Sequence, residues 1–355
     1  MTLELRNVSL RVGAETYIYP TTLTLIEGDF NVLLGTTLAG KTTLMQLMAG
    51  LRRPTTGEIW FNGRDVTGVA VQKRNVSMVY QQFINYPNLS VFENIASPLR
   101  VAHVRRREIA ERVERIAALL QLTPMLQRRP SELSGGQQQR TALARALVKD
   151  ADLILLDEPL VNLDYKLREE LRDELPRLFA GRQCTVVYST TEPGEALLLG
   201  GHTAAMHEGR VTQFGPTGEI YRRPADLTTA KVFSEPPINA VRVTKTGPSI
   251  RLSDSVSWTA NGKAAHLGDG RYILGVRPHL ISPVHERPET IEIKGHVLIT
   301  ELSGSESVVH FEHAGQVWIS QSHGIHAIEV GKTAPFHFDA GQCLYFSEDG
   351  RRIES

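Results

Sequence analysis

The chain has 355 residues, 39 of them basic and 39 acidic, which leaves room for two domains and gives no global basic field of the kind that nucleic acid selects. Two distant cysteines, Cys184 and Cys343, fit a reducing compartment and exclude a disulfide scaffold. With no apolar signal core at the start and no apolar run near the ~20 residues of a membrane span, a soluble chain is expected, reaching any membrane through a partner.

Residues 3–10 (Leu-Glu-Leu-Arg-Asn-Val-Ser-Leu) alternate like a half-buried strand, and Leu23-Thr24-Leu25 continues the pattern. Phe30-Asn31-Val32-Leu33-Leu34 reads as a short buried strand, and Leu44 to Ala49 has helical spacing that stops at Gly50. Between them lie Gly35, Thr36, Thr37, Leu38, Ala39, Gly40, Lys41, Thr42 and Thr43, a fit to G-x-x-x-x-G-K-[ST]. A glycine-rich turn from strand to helix points backbone N–H groups and the positive helix end at an anion. There Lys41 would reach the β- and γ-phosphates of a nucleoside triphosphate, and Thr42 would bind Mg²⁺.

Two strand-like runs follow, Gly57 to Gly63 and Val76 to Tyr80, with Gln81 at the end of the second. From about residue 82 to 148 the pattern is helical. Glu108–Arg112 and Glu111–Arg115 stand four residues apart, which makes the Arg105–Arg107 cluster part of a solvated helix face. Leu133-Ser134-Gly135-Gly136-Gln137-Gln138-Gln139-Arg140 opens another helix with Ser134 as a plausible N-cap, a second anion-binding tip. Residues 153–159 form an apolar strand ending in Asp157, Glu158 and Pro159. Asp157 can hold Mg²⁺, and Glu158 can orient or deprotonate the attacking water. One chain cannot easily bring both anion tips to one phosphate; two facing chains can, so ATP is expected between two subunits.

Cys184 to Tyr188 is a further strand, and Ala204 to Val211 reads as two strands around a turn. Ser234-Glu235-Pro236-Pro237-Ile238-Asn239 reads as a linker. Short β-type runs punctuated by glycine come after it, at Trp258, Tyr272–Val276, Ile291–Leu298, Ser307–Phe311 and Val317–Ile319. They suggest a small barrel or sandwich.

In their order, Gly35–Thr43, Gln81, Leu133–Arg140 and Asp157–Glu158 resemble the ATPase subunits of ABC transporters. The resemblance covers residues 1–235 and implies an α/β fold, a P-loop ATPase domain with a helical subdomain at about 82–148. It implies that Gln81 senses Mg²⁺ and the attacking water, that Ser134, Gly136 and Gln137 contact the opposing subunit's γ-phosphate, and that Asn162-Leu163-Asp164 couples the two sites. Tyr221-Arg222-Arg223-Pro224, Pro237-Ile238-Asn239 and Leu274–Pro278 resemble the linker and barrel of maltose-type sugar-importer ATPases. They imply a small all-β, OB/TOBE-like regulatory domain at 236–355. Val79–Pro87 and Tyr188–Pro193 are most similar to ATPase subunits of glycerol importers, whose complexes pair two different ATPase chains. The implied setting is the cytoplasmic face of a bacterial inner membrane. The implied partners are integral-membrane permease subunits docking on residues 82–99, a second ATPase chain and a periplasmic solute-binding protein, with no nucleic acid.

The sequence departs from that family at two places. Thr191 stands where the switch histidine belongs, and a neutral hydroxyl has shorter reach and cannot become cationic. Its neighbours in sequence, His202 and His207, are out of register and read as surface residues. Val12 falls where an aromatic usually stacks on adenine; Tyr17 or Tyr19 can replace it, or can simply pack. These departures predict a subunit that binds ATP but hydrolyses it slowly. Two other classes remain in view, a non-hydrolysing regulatory subunit and a soluble ABC-type ATPase outside transport. The pairs His310–His313 and His323–His326 suggest a metal site, but strand geometry puts the two rings of each pair on opposite faces.

Overall fold

The alternating start forms β1 (Leu3–Val12), antiparallel to β2 (Glu15–Thr24), with Leu3, Leu5, Val8 and Leu10 buried. This is a computed structural model that describes residues 2–161, 163–181, 184–285 and 289–353, with Lys263 described by its backbone alone. The chain divides into two units, Met1–Ile220 and Tyr221–Ser355. Asn162, named above for the coupling loop, lies outside the described residues.

In the first unit, β3 (Phe30–Leu34) is buried at every residue and leads through the glycine-rich turn to α1 (Lys41–Ala49). Strands β4 (Thr56–Phe61) and β5 (Arg64–Asp65) complete a sheet in the order β2-β1-β4-β5. The expected helical region holds α2 (Val91–Val101), α3 (Arg106–Leu119) and α4 (Gly135–Leu147), set after β6 (Val76–Val79). On α3, Arg112 pairs with Glu108 at 2.6 Å, and Glu111 pairs with Arg107 at 3.1 Å. The chain continues as β7 (Leu153–Asp157), α5 (Tyr165–Phe179), β8 (Thr185–Thr190), α6 (Pro193–Leu199), β9 (His202–His207), β10 (Arg210–Pro216) and α7 (Thr217–Arg222).

These strands form a six-stranded sheet ordered β10-β9-β3-β8-β7-β6, parallel except at β10. Parallel strands covered on both faces read as continuous apolar runs, and β3, β7 and β8 are buried throughout. Leu44, Leu47 and Met48 of α1 share a core with Leu33, Leu155, Val187 and Met206. Each such side chain contributes about 1.5–3 kcal/mol through burial, so the strand ends and the helix start that carry the polar groups sit on rigid elements. His202 is half-buried, with Nδ1 2.8 Å from Asp29 Oδ2. That corrects the surface reading: β9 pairs with β3, and its first residue lands beside the β3 approach. Among the described residues no helix is long and apolar enough to cross a membrane.

The second unit begins with α8 (Leu227–Val232) and is otherwise antiparallel β. One sheet holds β11 (Asn239–Thr246), β12 (Ser249–Arg251), β13 (Ser257–Thr259) and β14 (Gly270–Val276). The other holds β15 (Ile281–Ser282), β16 (Ile291–Leu302), β17 (Glu306–His313), β18 (Gln316–His323) and β19 (Thr333–Phe338). The last strand, β20 (Leu344–Phe346), pairs with β14. Phe311 and Phe336 stack at 3.7 Å in the shared core, with Trp318 and Phe338 fully buried beside them. Buried Arg277 donates to Phe233 O and Tyr221 O and lies over the Tyr221 ring at 3.9 Å, tying the expected Arg277-Pro278 run to the unit's entry. The paired histidines bond locally, His313 Nδ1 to Lys294 O and His326 Nε2 to His323 O, both at 2.9 Å.

Candidate nucleotide site

The site is built from four chain segments that the parallel sheet brings to one edge. Gly40 caps α1 in a left-handed conformation (φ 97°), and no side chain caps the helix. A Cβ at Gly40 would stand 3.0 Å from the flexible tip of Ile18, so it is the left-handed φ that calls for glycine. The free amides of this helix end therefore face a cavity of about 530 Å³.

Lys41 is buried at 5% exposure. Its ammonium donates to Gly35 O at 2.7 Å and Thr36 O at 3.2 Å and lies 3.2 Å from Glu158 Oε1. A cation so placed needs its partners, since burying an ammonium without them is costly. Thr42 Oγ1 donates to Asp157 Oδ2, and Ser189 Oγ donates to Asp157 Oδ1, each at 2.7 Å. Ser189 Oγ also accepts from Glu158 N at 3.0 Å, so one hydroxyl orders both carboxylate residues. Burial pushes Asp157 above the ordinary carboxylate range, opposed by the hydrogen bonds from Ser189 and Thr42. Gln81 Nε2 donates to Glu158 Oε2 at 2.8 Å, leaving the glutamine carbonyl for another partner. Glu158 itself adopts φ 45°, a left-handed backbone at a non-glycine residue.

The cavity is lined by Thr37, Leu38, Ala39, Gly40, Lys41, Thr42 and Thr43, together with Gln81 and Glu158. Gly35 and Thr36 stand behind the lining and hold Lys41 through their carbonyls. Both tyrosines named from sequence, Tyr17 and Tyr19, line the same cavity. Tyr17 is 43% exposed. The Tyr19 ring is covered by the Arg210 guanidinium at 3.4 Å. Sequence reasoning missed the wall beside them, the Glu208–Gly209 turn between β9 and β10. Gly209 N donates to Ala39 O at 3.0 Å, and Gly209 O accepts from Tyr19 N at 2.9 Å, so this turn joins the phosphate loop to β2. A Cβ at Gly209 would lie 2.3 Å from Tyr17 O.

Other expected residues lie elsewhere. Ser134 caps α4: its Oγ accepts from Gln137 N at 3.3 Å and Gln137 Oε1 accepts from Ser134 N at 3.0 Å, a closed capping box. Neither they nor Gly135 and Gly136 line the cavity. Asp164 is the N-cap of α5, accepting from Leu167 N at 3.0 Å. Thr191 is half-buried just past β8. The preceding Thr190 bonds Gly35 N through its carbonyl at 3.3 Å, yet Thr191 is not among the lining residues.

Comparison with known proteins places this geometry. A family model described as ABC transporter matches residues 19–161. The chain is 35% identical over 345 residues to the sn-glycerol-3-phosphate import ATP-binding protein UgpC of Pectobacterium atrosepticum, covering 96% of each. It is 33% identical over 367 residues to the protein of that name from Cupriavidus necator, covering 99% of each. Among solved structures, the dimeric post-hydrolysis state of the ATP-binding cassette MJ0796 bound to ADP and Pi superposes with a TM-score of 0.55 at 28% identity, over 61% of this chain and 98% of that one. The chain belongs to the ABC transporter family, as one of its ATP-binding subunits.

Proposed function

We propose that this chain is the energy-coupling ATPase of a solute importer, held by permease subunits at the cytoplasmic face of a bacterial inner membrane. The observation that carries this reading is the meeting of Lys41, Thr42, Gln81 and Glu158 at one cavity, with Asp157 hydrogen-bonded to Thr42 beside them. The amides of the phosphate loop and Lys41 bind the β- and γ-phosphates of ATP. Thr42 Oγ1, the Asp157 carboxylate and the Gln81 carbonyl form a hard oxygen set that fits Mg²⁺. When bound, that ion neutralises charge on the phosphate oxygens. Glu158, held between Lys41 and Gln81, takes the proton of the attacking water.

The Ser134–Gln137 tip supports a two-chain site, because it stands outside its own chain's cavity and is finished for display. A second ATPase chain, different from this one, would receive that tip at its own nucleotide, with Asp164 in the loop that couples the two. The β-rich C-terminal unit would serve regulation, and a periplasmic binding protein would deliver solute to the permease. The relatives are named for sn-glycerol-3-phosphate. With the likeness to glycerol importers, this favours a solute with a glycerol backbone over a hexose.

Reconstitution of the chain with its co-purifying permease in liposomes tests the reading. ATP-dependent uptake of labelled glycerol or sn-glycerol-3-phosphate is expected, and Glu158→Gln should cut turnover by about 10²–10⁴-fold. Hydrolysis indifferent to Glu158→Gln, or uptake of neither solute, would contradict it. Thr191 favours slow turnover at this chain's own loop. Thr191→His should speed hydrolysis in the assembled complex, and no change there would remove the reason for calling the site slow.

A further inference from the structure

Gln139 lies on α4 just beyond the Ser134–Gln137 tip and is 3% exposed. Its Nε2 donates to Pro159 O at 2.7 Å, while its Oε1 is buried without a hydrogen-bond partner among the described residues. A methionine or leucine would fill this space without burying an unsatisfied acceptor, so packing alone does not account for an amide here. The one bond it makes falls on the residue after Glu158.

Glu158 is where the chain bends into the left-handed region at a non-glycine residue, a conformation that persists only when its surroundings impose it. Ser189 Oγ holds the bend at the Glu158 amide. Pro159 has no N–H, so its carbonyl is the one main-chain group by which that residue can be held, and Gln139 donates to it. The carboxylate aimed by this bend is the one that meets Lys41 at 3.2 Å and Gln81 at 2.8 Å.

We infer that Gln139 is a positioning residue for Glu158, and that its amide makes the Ser134–Gln137 tip and the Glu158 carboxylate parts of one hydrogen-bonded unit. The tip offered to a partner's nucleotide is then mechanically joined to the chain's own hydrolytic carboxylate. The inference rests on the reading of Glu158 as the group that takes the water proton.

The test is turnover and nucleotide affinity of the assembled complex carrying Gln139→Met, alone and together with Glu158→Gln. A misplaced carboxylate should lower kcat at least about tenfold. Affinity for ATP, measured by calorimetry, should stay within about twofold. In the Glu158→Gln background the same change should lower the residual rate by less than about twofold, because it acts through Glu158. Gln139→Leu, which also lacks the donor, should reproduce the kcat loss, and equal melting temperatures of variant and parent separate that loss from a destabilised fold. Turnover within twofold of the parent for both variants, or an equal fall with and without the Glu158 carboxylate, would overturn the inference. Full turnover in Glu158→Gln alone would instead remove the role given to Glu158.

Discussion

The N-termini of α1 and α4 are both glycine-rich helix starts in the same unit, yet they are finished in opposite ways. Gly40 leaves α1 without a side-chain cap, and the open amides face a cavity that also receives a buried lysine and Glu158, with Asp157 bonded to the lining residue Thr42. Ser134 closes α4 with Gln137 in a capping box, and the tip stands exposed with its own hydrogen bonds made. The first arrangement needs an anion to complete it, and the second presents a stable surface to something outside the chain. Anion-binding potential is thus common to both ends, and what differs is the chemistry packed behind each. Asp157, Glu158 and Gln81 stand behind the first; a hydrogen bond from Gln139 Nε2 to Pro159 O stands behind the second.

This contrast can be broken by substitutions that strike one end alone. The largest expected effect is on the α1 side. Lys41→Ala removes a charge-assisted contact and leaves Glu158 beside Asp157 without its cation, so ATP affinity measured by calorimetry should fall about a hundredfold. Affinity within threefold of the parent would mean that the loop binds phosphate through its amides alone.

The tyrosines of the same cavity should respond more weakly and more selectively. With one face of Tyr19 covered by Arg210 and Tyr17 more open, Tyr17→Ala should weaken ATP about tenfold while leaving inorganic tripolyphosphate, which has no base, unaffected. Equal losses for both ligands would show that Tyr17 supports the loop instead of the base. Tyr19→Ala should be the milder of the two toward ATP if Arg210 keeps that ring occupied.

The smallest effect is expected away from both helix ends, on stability. Tyr188 OH donates to Glu195 Oε1 at 2.7 Å in the interior between β8 and α6. Burial pushes Glu195 above the ordinary carboxylate range, opposed by hydrogen bonds from Thr190 and Tyr188. The folded chain therefore keeps this proton to higher pH than the unfolded chain. Stability is lost as pH rises from about 4.3 through the folded value. Glu195→Gln removes that loss and should raise Tm by about 2–4 °C at pH 8, with a smaller gain at pH 5. A gain that grows toward acid pH would reverse the assigned cause.

Much of the α1 end was legible because each part is local. The loop follows a buried strand, Asp157 ends one, and Gln81 follows another, so sequence spacing alone predicts where a parallel sheet will deliver them. What joins them was not legible. Ser189 is one of three small polar residues, with Thr185 and Thr190, in a fully buried strand, and that mismatch with burial is the signal that could have pointed to a bridge between Asp157 and Glu158. The Glu208–Gly209 turn carries no motif; it becomes a wall of the cavity only because β9 lies beside β3. The same neighbour relation gives His202 its partner Asp29. Gln139 lay inside the run that identified the helix start, but helical periodicity says nothing about which carbonyl its amide reaches. In the C-terminal unit the glycine-punctuated runs marked most strands of the second sheet, while β11, β12, β15, β19 and β20 escaped notice.

The account turns on the α4 tip serving a nucleotide that its own chain does not hold. Ser134→Ala in this chain, assembled with its permease and partner ATPase, tests that directly by comparing turnover of the complex with ATP affinity of the isolated chain. The account predicts turnover lower by about tenfold or more, with affinity unchanged within about twofold. Affinity and turnover falling together in the isolated chain, or a complex with full activity, would contradict it.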